Sequence, residues 1–177
     1  SVFSVILISM MIVGCGEAPT IKVGVAETII TPQNPVGIYM SGFDRGGKTS
    51  TGVHDDLHAR SIFIEGKDGE NVIMITVSII GIDESIRNDI RRGITEKTSI
   101  PGENIVISAT HTHSGPSLGE RNGDYIQFFT DKSIESAVQA WENRVQGKIG
   151  FGTTEIIGLG KKRAALGHGG RHPDPEV

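Results

Sequence analysis

Two histidines one residue apart, His111 and His113 in the run His111-Thr112-His113-Ser114-Gly115-Pro116, are the side chains best placed to do chemistry. Neutral imidazole is the commonest protein ligand for zinc, and its pKa also suits it to moving protons near neutral pH. In an extended chain side chains alternate, so residues i and i+2 point to the same side and both rings can reach one reaction centre. The apolar run Asn104 to Thr110 reads as a short strand ending at the pair, and open α/β sheets bind ligands outside the carboxyl ends of their strands. Gly115-Pro116 then turns the chain and lets backbone approach a substrate closely.

The pair by itself fits a metal site or a surface or structural role equally well. One catalytic metal needs about three protein ligands and an open position. His54, His58, His168 and His172 show no ligand spacing to the pair. Asp55, Asp56 and His58 could make a second metal site, but charged side chains beside a long loop are ordinarily solvated.

The elements that must position the pair are legible in outline. Ile21 to Ile30 alternates as a strand and is broken by Thr31-Pro32-Gln33-Asn34-Pro35. Ser41 to Asp56 is rich in Gly, Ser, Thr and Asp and reads as a long surface loop. Ala59 to Glu65 and Asn71 to Ile82 are apolar runs joined by Gly66-Lys67-Asp68-Gly69, a hairpin signal. Asp83 suits the N-cap of a helix that sets Ile86, Ile90 and Ile94 on one face, ended by Ile100-Pro101-Gly102. A second helix is predicted from about Asp124 to Asn143, with Tyr125, Phe128, Phe129, Ala137, Val138 and Trp141 inward. Lys148 to Ile157 reads as a further strand and Gly158 to Val177 as a polar, Gly-rich loop. Strands, helix, strand, helix and strand in that order predict an α/β fold, a mixed β-sheet sandwiched by helices.

The first residues form a separate segment. Val5 to Val13 is an apolar run that ends in Gly14-Cys15-Gly16. It is too short to span a bilayer, which takes about 20 apolar residues, and has the length of a signal-peptide core. Ile12-Val13-Gly14-Cys15 resembles a bacterial lipobox, in which the cysteine is lipidated. Residues 1–15 are therefore expected to be an export segment and 16–21 a linker, with membrane attachment through Cys15. A periplasmic or outer-surface lipoprotein, or a secreted protein, is the expected location. Cys15 is the only cysteine, so no disulfide can form within the chain.

Composition excludes other classes. The 17 basic and 21 acidic residues leave a net charge of −4 with no basic stripe, which argues against a nucleic-acid partner. Gly, at 24 of 177 residues, is roughly twice its average share of about 7%. The glycines have no period, so they read as tight turns in a loop-rich fold.

Five ordered segments resemble the neutral/alkaline (non-lysosomal) ceramidase family. Thr110 to Pro116 repeats its T-H-T-H-S-G-P signature after a strand. Gly24-Val25-Ala26-Glu27-Thr28 with Ile30-Thr31-Pro32 is similar to its opening strand and turn. Met40-Ser41-Gly42-Phe43 resembles its M-x-G-Y element, and Gly52 to Arg60 the segment before its next strand. The likeness runs from about residue 22 to the end and implies that 22–177 is the N-terminal part of a larger catalytic domain.

The resemblance implies a zinc enzyme that cleaves the amide of ceramide, or of a related N-acyl lipid or small amide, to a fatty acid and a sphingoid base. It makes His111 a zinc (Zn2+) ligand and puts His113 beside the metal, against substrate or the reacting oxygen. It makes Arg163, in Lys161-Lys162-Arg163, the candidate for the amide end of the substrate, with Arg171 nearby. The other ligands of the family, a His, a Glu and a Tyr, and its catalytic Ser fall beyond Val177. The fragment itself is therefore expected to be inactive and to bind zinc poorly.

Two departures stand out: Ser78 lies where many members are acidic, and Ser117-Leu118 replaces a Gly pair. The competing readings are a non-catalytic exported binding module that keeps the fold, and a zinc hydrolase of the amidohydrolase class. In the latter, the H-x-H pair sits on the first barrel strand.

Overall fold

The computed structural model of the chain describes residues 21–42 and 48–155. Its strands are β1 (Ile21–Ile29), β2 (His58–Glu65), β3 (Asn71–Val77), β4 (Ile105–Ala109) and β5 (Val145–Gly147). Its α-helices are α1 (Glu84–Thr98), between β3 and β4, and α2 (Gly123–Glu142), between β4 and β5. The strands form one sheet in the order β4-β3-β2-β1-β5. β3 and β4 are parallel and every other pair is antiparallel, so the sheet is mixed and the class is α/β. A short turn joins β2 to β3 and a long loop joins β1 to β2, both as antiparallel neighbours, whereas the parallel β3–β4 pair requires the crossover that α1 supplies.

Alternation decides which side chains are buried. Ala59, Ser61 and Phe63 of β2 and Ile73, Ile75 and Val77 of β3 point to one face, and α2 lies across β1, β2 and β3 on that face with α1 beside it. Ile86, Ile90 and Ile94 of α1, at i, i+4 and i+8, enter the same core. Burying one isoleucine side chain contributes roughly 1.5–3 kcal/mol, so this stripe holds α1 in place. Asp83 occupies the N-cap position with extended backbone, although its side chain makes no capping bond. Ser99 closes the helix in the left-handed region, its N–H donating to the carbonyl of Thr95. Arg91 ties α1 to β4 by donating twice to the carbonyl of Ile105, at 3.0 and 2.8 Å.

The core face of α2 carries small and hydroxyl residues, Ser133, Ser136, Ala137 and Ala140, because the helix approaches β1 at backbone distance. A Cβ on Gly24 would stand 1.8 Å from the carbonyl oxygen of Ala140. The buried hydroxyls are satisfied locally. Ser136 lies 2.8 Å from Ser61 and reaches the carbonyl of Ala59 at 3.1 Å, while Ser133 donates to Phe129. The expected inward set is met at Tyr125, Phe129 and Ala137. Phe128 and Trp141 are half-buried against the core, and Val138 lies outside the buried stripe.

The opposite face of the sheet carries a row in register, Val25, Ile62, Met74 and Val106, one residue from each of four neighbouring strands. Val25, Met74 and Val106 are exposed. Beside that row Glu27 pairs with Arg60 and lies 3.5 Å from His58. Among the described residues no helix is long and apolar enough to cross a membrane.

Two strand expectations require correction. The apolar run Asn71 to Ile82 pairs only as far as Val77; the chain then bends, and Ile79 stays fully buried as a loop residue. Hydropathy reports burial, which loop residues can share. The described part of the expected Lys148 to Ile157 strand, residues 148–155, is not in a strand, and among the described residues the last strand is Val145–Gly147. It pairs with Ile21 to Val23, the part of β1 that emerges at that edge, so the position of its partner selected it over local pattern.

Candidate functional site

The site begins where the two parallel strands end together. Val77 and Ala109 are in register, and the N–H of Thr110 still reaches the carbonyl of Val77 at 3.0 Å. The next residue leaves the strand. His111 adopts φ +60°, a left-handed conformation that a non-glycine residue holds only when its surroundings over-determine it, at a cost of about 1–3 kcal/mol. The hydrogen bond that accompanies it runs from Nδ1–H of His111 to the carbonyl of Ile80, 2.7 Å away. A carbonyl can only accept, so the proton sits on Nδ1 and the lone pair on Nε2 is left for another partner. The His111 side chain is exposed.

His111 and His113 do come together. Their ring centroids are 4.9 Å apart at an interplanar angle of 71°. The route differs from the expected one, since the backbone at His111 is left-handed and not extended. Gly115 and Pro116 follow as buried residues. A Cβ on Gly115 would lie 3.4 Å from the carbonyl oxygen of Ser78, so the turn after the histidines is pressed against the chain leaving β3.

The loop after β1 locks this turn in place. Its arms pair with each other, Gly37 N–H to Ser50 O at 2.9 Å, Ser50 N–H to Ile38 O at 2.8 Å and Met40 N–H to Lys48 O at 3.0 Å. Its inner arm also pairs with the motif, Ser41 N–H to Gly115 O at 3.0 Å and Ser117 N–H to Tyr39 O at 2.8 Å. Asn122, buried just before α2, completes the junction. Its Oδ1 accepts from Tyr39 N–H at 3.1 Å, and its Nδ2 donates to Tyr39 O at 2.8 Å and to Ser117 O at 2.7 Å. Arg121 stacks on the Tyr39 ring, 4.4 Å from its centroid. Of the segment predicted as a long surface loop, Ser41 and Lys48 to Ser50 are paired and frame the motif, whereas residues 51–56 are exposed loop as expected.

A cleft of about 360 Å³ opens on one flank of the motif, between Pro32, Ile38, Met40, Leu57 and Pro116. Thr112 and Ser114 line it, and the two histidines do not. Asp55, Asp56 and His58 stay apart: Asp55 pairs with His54 at 2.7 Å, Asp56 accepts from Thr31 at 2.8 Å, and His58 faces Glu27. Among the described residues no group of three or more His, Cys, Asp or Glu could hold a metal. The described part of the site therefore fits one metal ligand, His111 Nε2, oriented by the carbonyl of Ile80. Arg163 and Cys15 lie outside the described residues. Asn122 and the contact of Gly42 with His113 were not foreseen as parts of the site. Gly42 has a signal in its M-x-G context, whereas Asn122 offers only a helix-start residue type and makes no capping bond.

This architecture defines an α/β protein with a two-histidine loop beyond the ends of adjacent parallel strands. The family model described as "Neutral/alkaline non-lysosomal ceramidase, N-terminal" matches residues 21–169, and the chain belongs to that family. The neutral ceramidase of Drosophila pseudoobscura pseudoobscura is 25% identical over 176 residues, covering 92% of this chain and 25% of the relative. Neutral ceramidase 1 of Arabidopsis thaliana is 22% identical over 146 residues, covering 72% and 18%. The crystal structure of neutral ceramidase from Pseudomonas aeruginosa superposes with a TM-score of 0.77 at 21% identity, over 86% of this chain and 26% of that one. A ceramidase complexed with C2 superposes equally well, at 19% identity, covering 85% of this chain and 26% of that one. These structural matches establish the shared fold. The chain spans about a quarter or less of the length of these relatives.

Proposed function

We propose that the complete polypeptide carrying this chain is a zinc-dependent hydrolase that cleaves the amide bond of ceramide or a related N-acyl lipid, releasing a fatty acid and a sphingoid base. The observation that carries the reading is the His111 side chain, held by the carbonyl of Ile80 with Nε2 free, within a family whose relatives are named neutral ceramidases. A donated Nδ1–H of this kind is the usual outer support of a metal-binding imidazole, setting both its tautomer and its direction.

In this reading His111 contributes one zinc ligand and further residues of the complete polypeptide supply the rest. Bound zinc would polarise the amide carbonyl and lower the pKa of a water molecule. His113, its ring beside that of His111, would donate a hydrogen bond or a proton to the oxygen that becomes negative during attack on the amide. The bond from His111 to the Ile80 carbonyl and the paired loop around the motif would limit how far the rings reorganise when charge develops. Arg163 would add a positive donor at the amide end of the substrate. Export with a lipid on Cys15 would bring such an enzyme to a membrane surface, where N-acyl lipids are found.

The test is hydrolysis of a short-chain fluorescent ceramide by the complete polypeptide, with and without a chelator, beside the variant His111→Ala. Activity lost on chelation, regained with zinc and absent from the variant supports the proposal. Undiminished hydrolysis by His111→Ala, or no hydrolysis of any N-acyl lipid by the zinc-loaded protein, overturns it. The 177-residue chain alone should lose its zinc on desalting; stoichiometric, tightly held zinc would contradict the incomplete ligand set.

A further inference from the structure

Gly42 and His113 meet at a contact that no side chain could share. Gly42 adopts φ +83°, and a Cβ placed on it would lie 2.5 Å from Cγ of His113, 2.6 Å from its Cβ and 2.8 Å from its Nδ1. Real Cβ atoms do not tolerate such separations. Gly37, in the same loop at φ +85°, has nothing within 4 Å of the corresponding position. Left-handed backbone therefore explains both glycines, but only Gly42 also needs its side-chain space empty.

We infer that Gly42 is a positioning residue for His113: its bare backbone is the surface against which the imidazole rests, and the absent methyl group sets how close the ring lies to His111. The neighbouring bonds make this surface rigid. Ser41 N–H donates to Gly115 O, and Met40 bridges to Pro116, so the strip 40–42 is fastened to the same turn that carries His113. With Met40 and Ser41 fastened in this way, a methyl group on Gly42 is expected to displace the ring in preference to the strip. The functional weight of this inference rests on the proposed role of His113, but the contact can be tested without it.

The experiment uses the 177-residue chain labelled with 13Cε1-histidine, as wild type, Gly37→Ala, Gly42→Ala, His113→Ala, His113→Gly and the doubles Gly42→Ala/His113→Ala and Gly42→Ala/His113→Gly. The His113 signal is assigned by its loss in His113→Gly. Gly37→Ala should lower the folding equilibrium constant roughly tenfold, from left-handed strain alone, and leave the His113 signal in place. Gly42→Ala should cost roughly a further tenfold to hundredfold and shift that signal. His113→Gly, which removes the side chain including Cβ, should bring Gly42→Ala back to the Gly37→Ala level. His113→Ala should rescue less, because its Cβ stays.

An unmoved His113 signal in Gly42→Ala, or costs that simply add, overturns the inference. Should Gly42→Ala fail to fold, recovery of folding in the double with His113→Gly supports the contact, and continued failure overturns it. In the complete polypeptide, if it hydrolyses ceramide, Gly42→Ala should lower kcat by about a hundredfold with little change in KM, since a displacement near 1 Å is that costly. Absence of wild-type hydrolysis would count against the proposed function, while the histidine signals would still decide whether Gly42 positions His113.

Discussion

Asn122 and Tyr39, 83 residues apart, exchange two hydrogen bonds: the Tyr39 N–H donates to Asn122 Oδ1 at 3.1 Å, and Asn122 Nδ2 donates to the Tyr39 carbonyl at 2.8 Å. With the third bond, to Ser117 O, one buried side chain joins the loop after β1, the motif turn and the start of α2. Replacing it by alanine leaves the part-buried Tyr39 N–H without this partner and takes a donor from the Tyr39 and Ser117 carbonyls. We expect Asn122→Ala to cost about 2–3 kcal/mol. Asn122→Asp should cost at least as much, because it sets carboxylate oxygen against carbonyl oxygen. Urea unfolding of both variants is the check, and a loss below about 0.5 kcal/mol in either would deny Asn122 this role.

Gly24 allows α2 to lie directly on β1, and any Cβ there meets the Ala140 carbonyl at 1.8 Å. Backbone is on both sides of the contact, so no rotamer change can relieve it. Gly24→Ala should destabilise the fold by about 3 kcal/mol or more, read as a lower urea midpoint with little change in slope. A neutral result would mean that the helix stands off the strand.

Tyr125 donates its hydroxyl to the carbonyl of Ile30 at 2.9 Å, and burial pushes its phenol well above the ordinary value of about 10. The folded state thus keeps a proton that the unfolded chain gives up first. Its contribution is complete below about pH 10 and is lost as pH rises beyond that value. Tyr125→Phe should cost about 1–1.5 kcal/mol near neutrality from the lost hydrogen bond. The gap between wild type and variant should then shrink in unfolding titrations above about pH 10. A gap that stays constant with pH would show that this phenol titrates normally.

His111 holds left-handed backbone, at φ +60°, which alanine tolerates poorly and glycine freely. Both substitutions remove the bond to Ile80, so their difference isolates the strain. His111→Gly should be more stable than His111→Ala by about 1 kcal/mol, roughly 2–4 °C in melting temperature for a chain of this size. The reverse order would place His111 in ordinary extended backbone.

Much of the fold was legible because local chemistry dictated it. Ile86, Ile90 and Ile94 recur at helical spacing and fill one stripe of α1; the Asp68-Gly69 turn joins two alternating runs into the β2–β3 hairpin. The order of elements pointed to a mixed α/β sheet. The signature Thr110 to Pro116 marked the histidine pair, and the ordered resemblance to the ceramidase family was confirmed over residues 21–169.

What tertiary structure alone decided are the features that depend on distant partners. β5 moved to Val145–Gly147 because the start of β1 lay open at that edge. Ile79 left the strand yet stayed in the core, since burial is set by the whole molecule and not by period. His111 and His113 were expected to converge through strand alternation, whereas a left-handed turn and the Ile80 carbonyl bring His111 to its neighbour. Asn122 and Gly42 joined the site because segments far apart in sequence meet there, one through a polar amide that satisfies three backbone groups and the other through the side chain it lacks. A sequence displays which side chains are available and what they prefer locally; which atoms touch depends on a packing that every element determines at once.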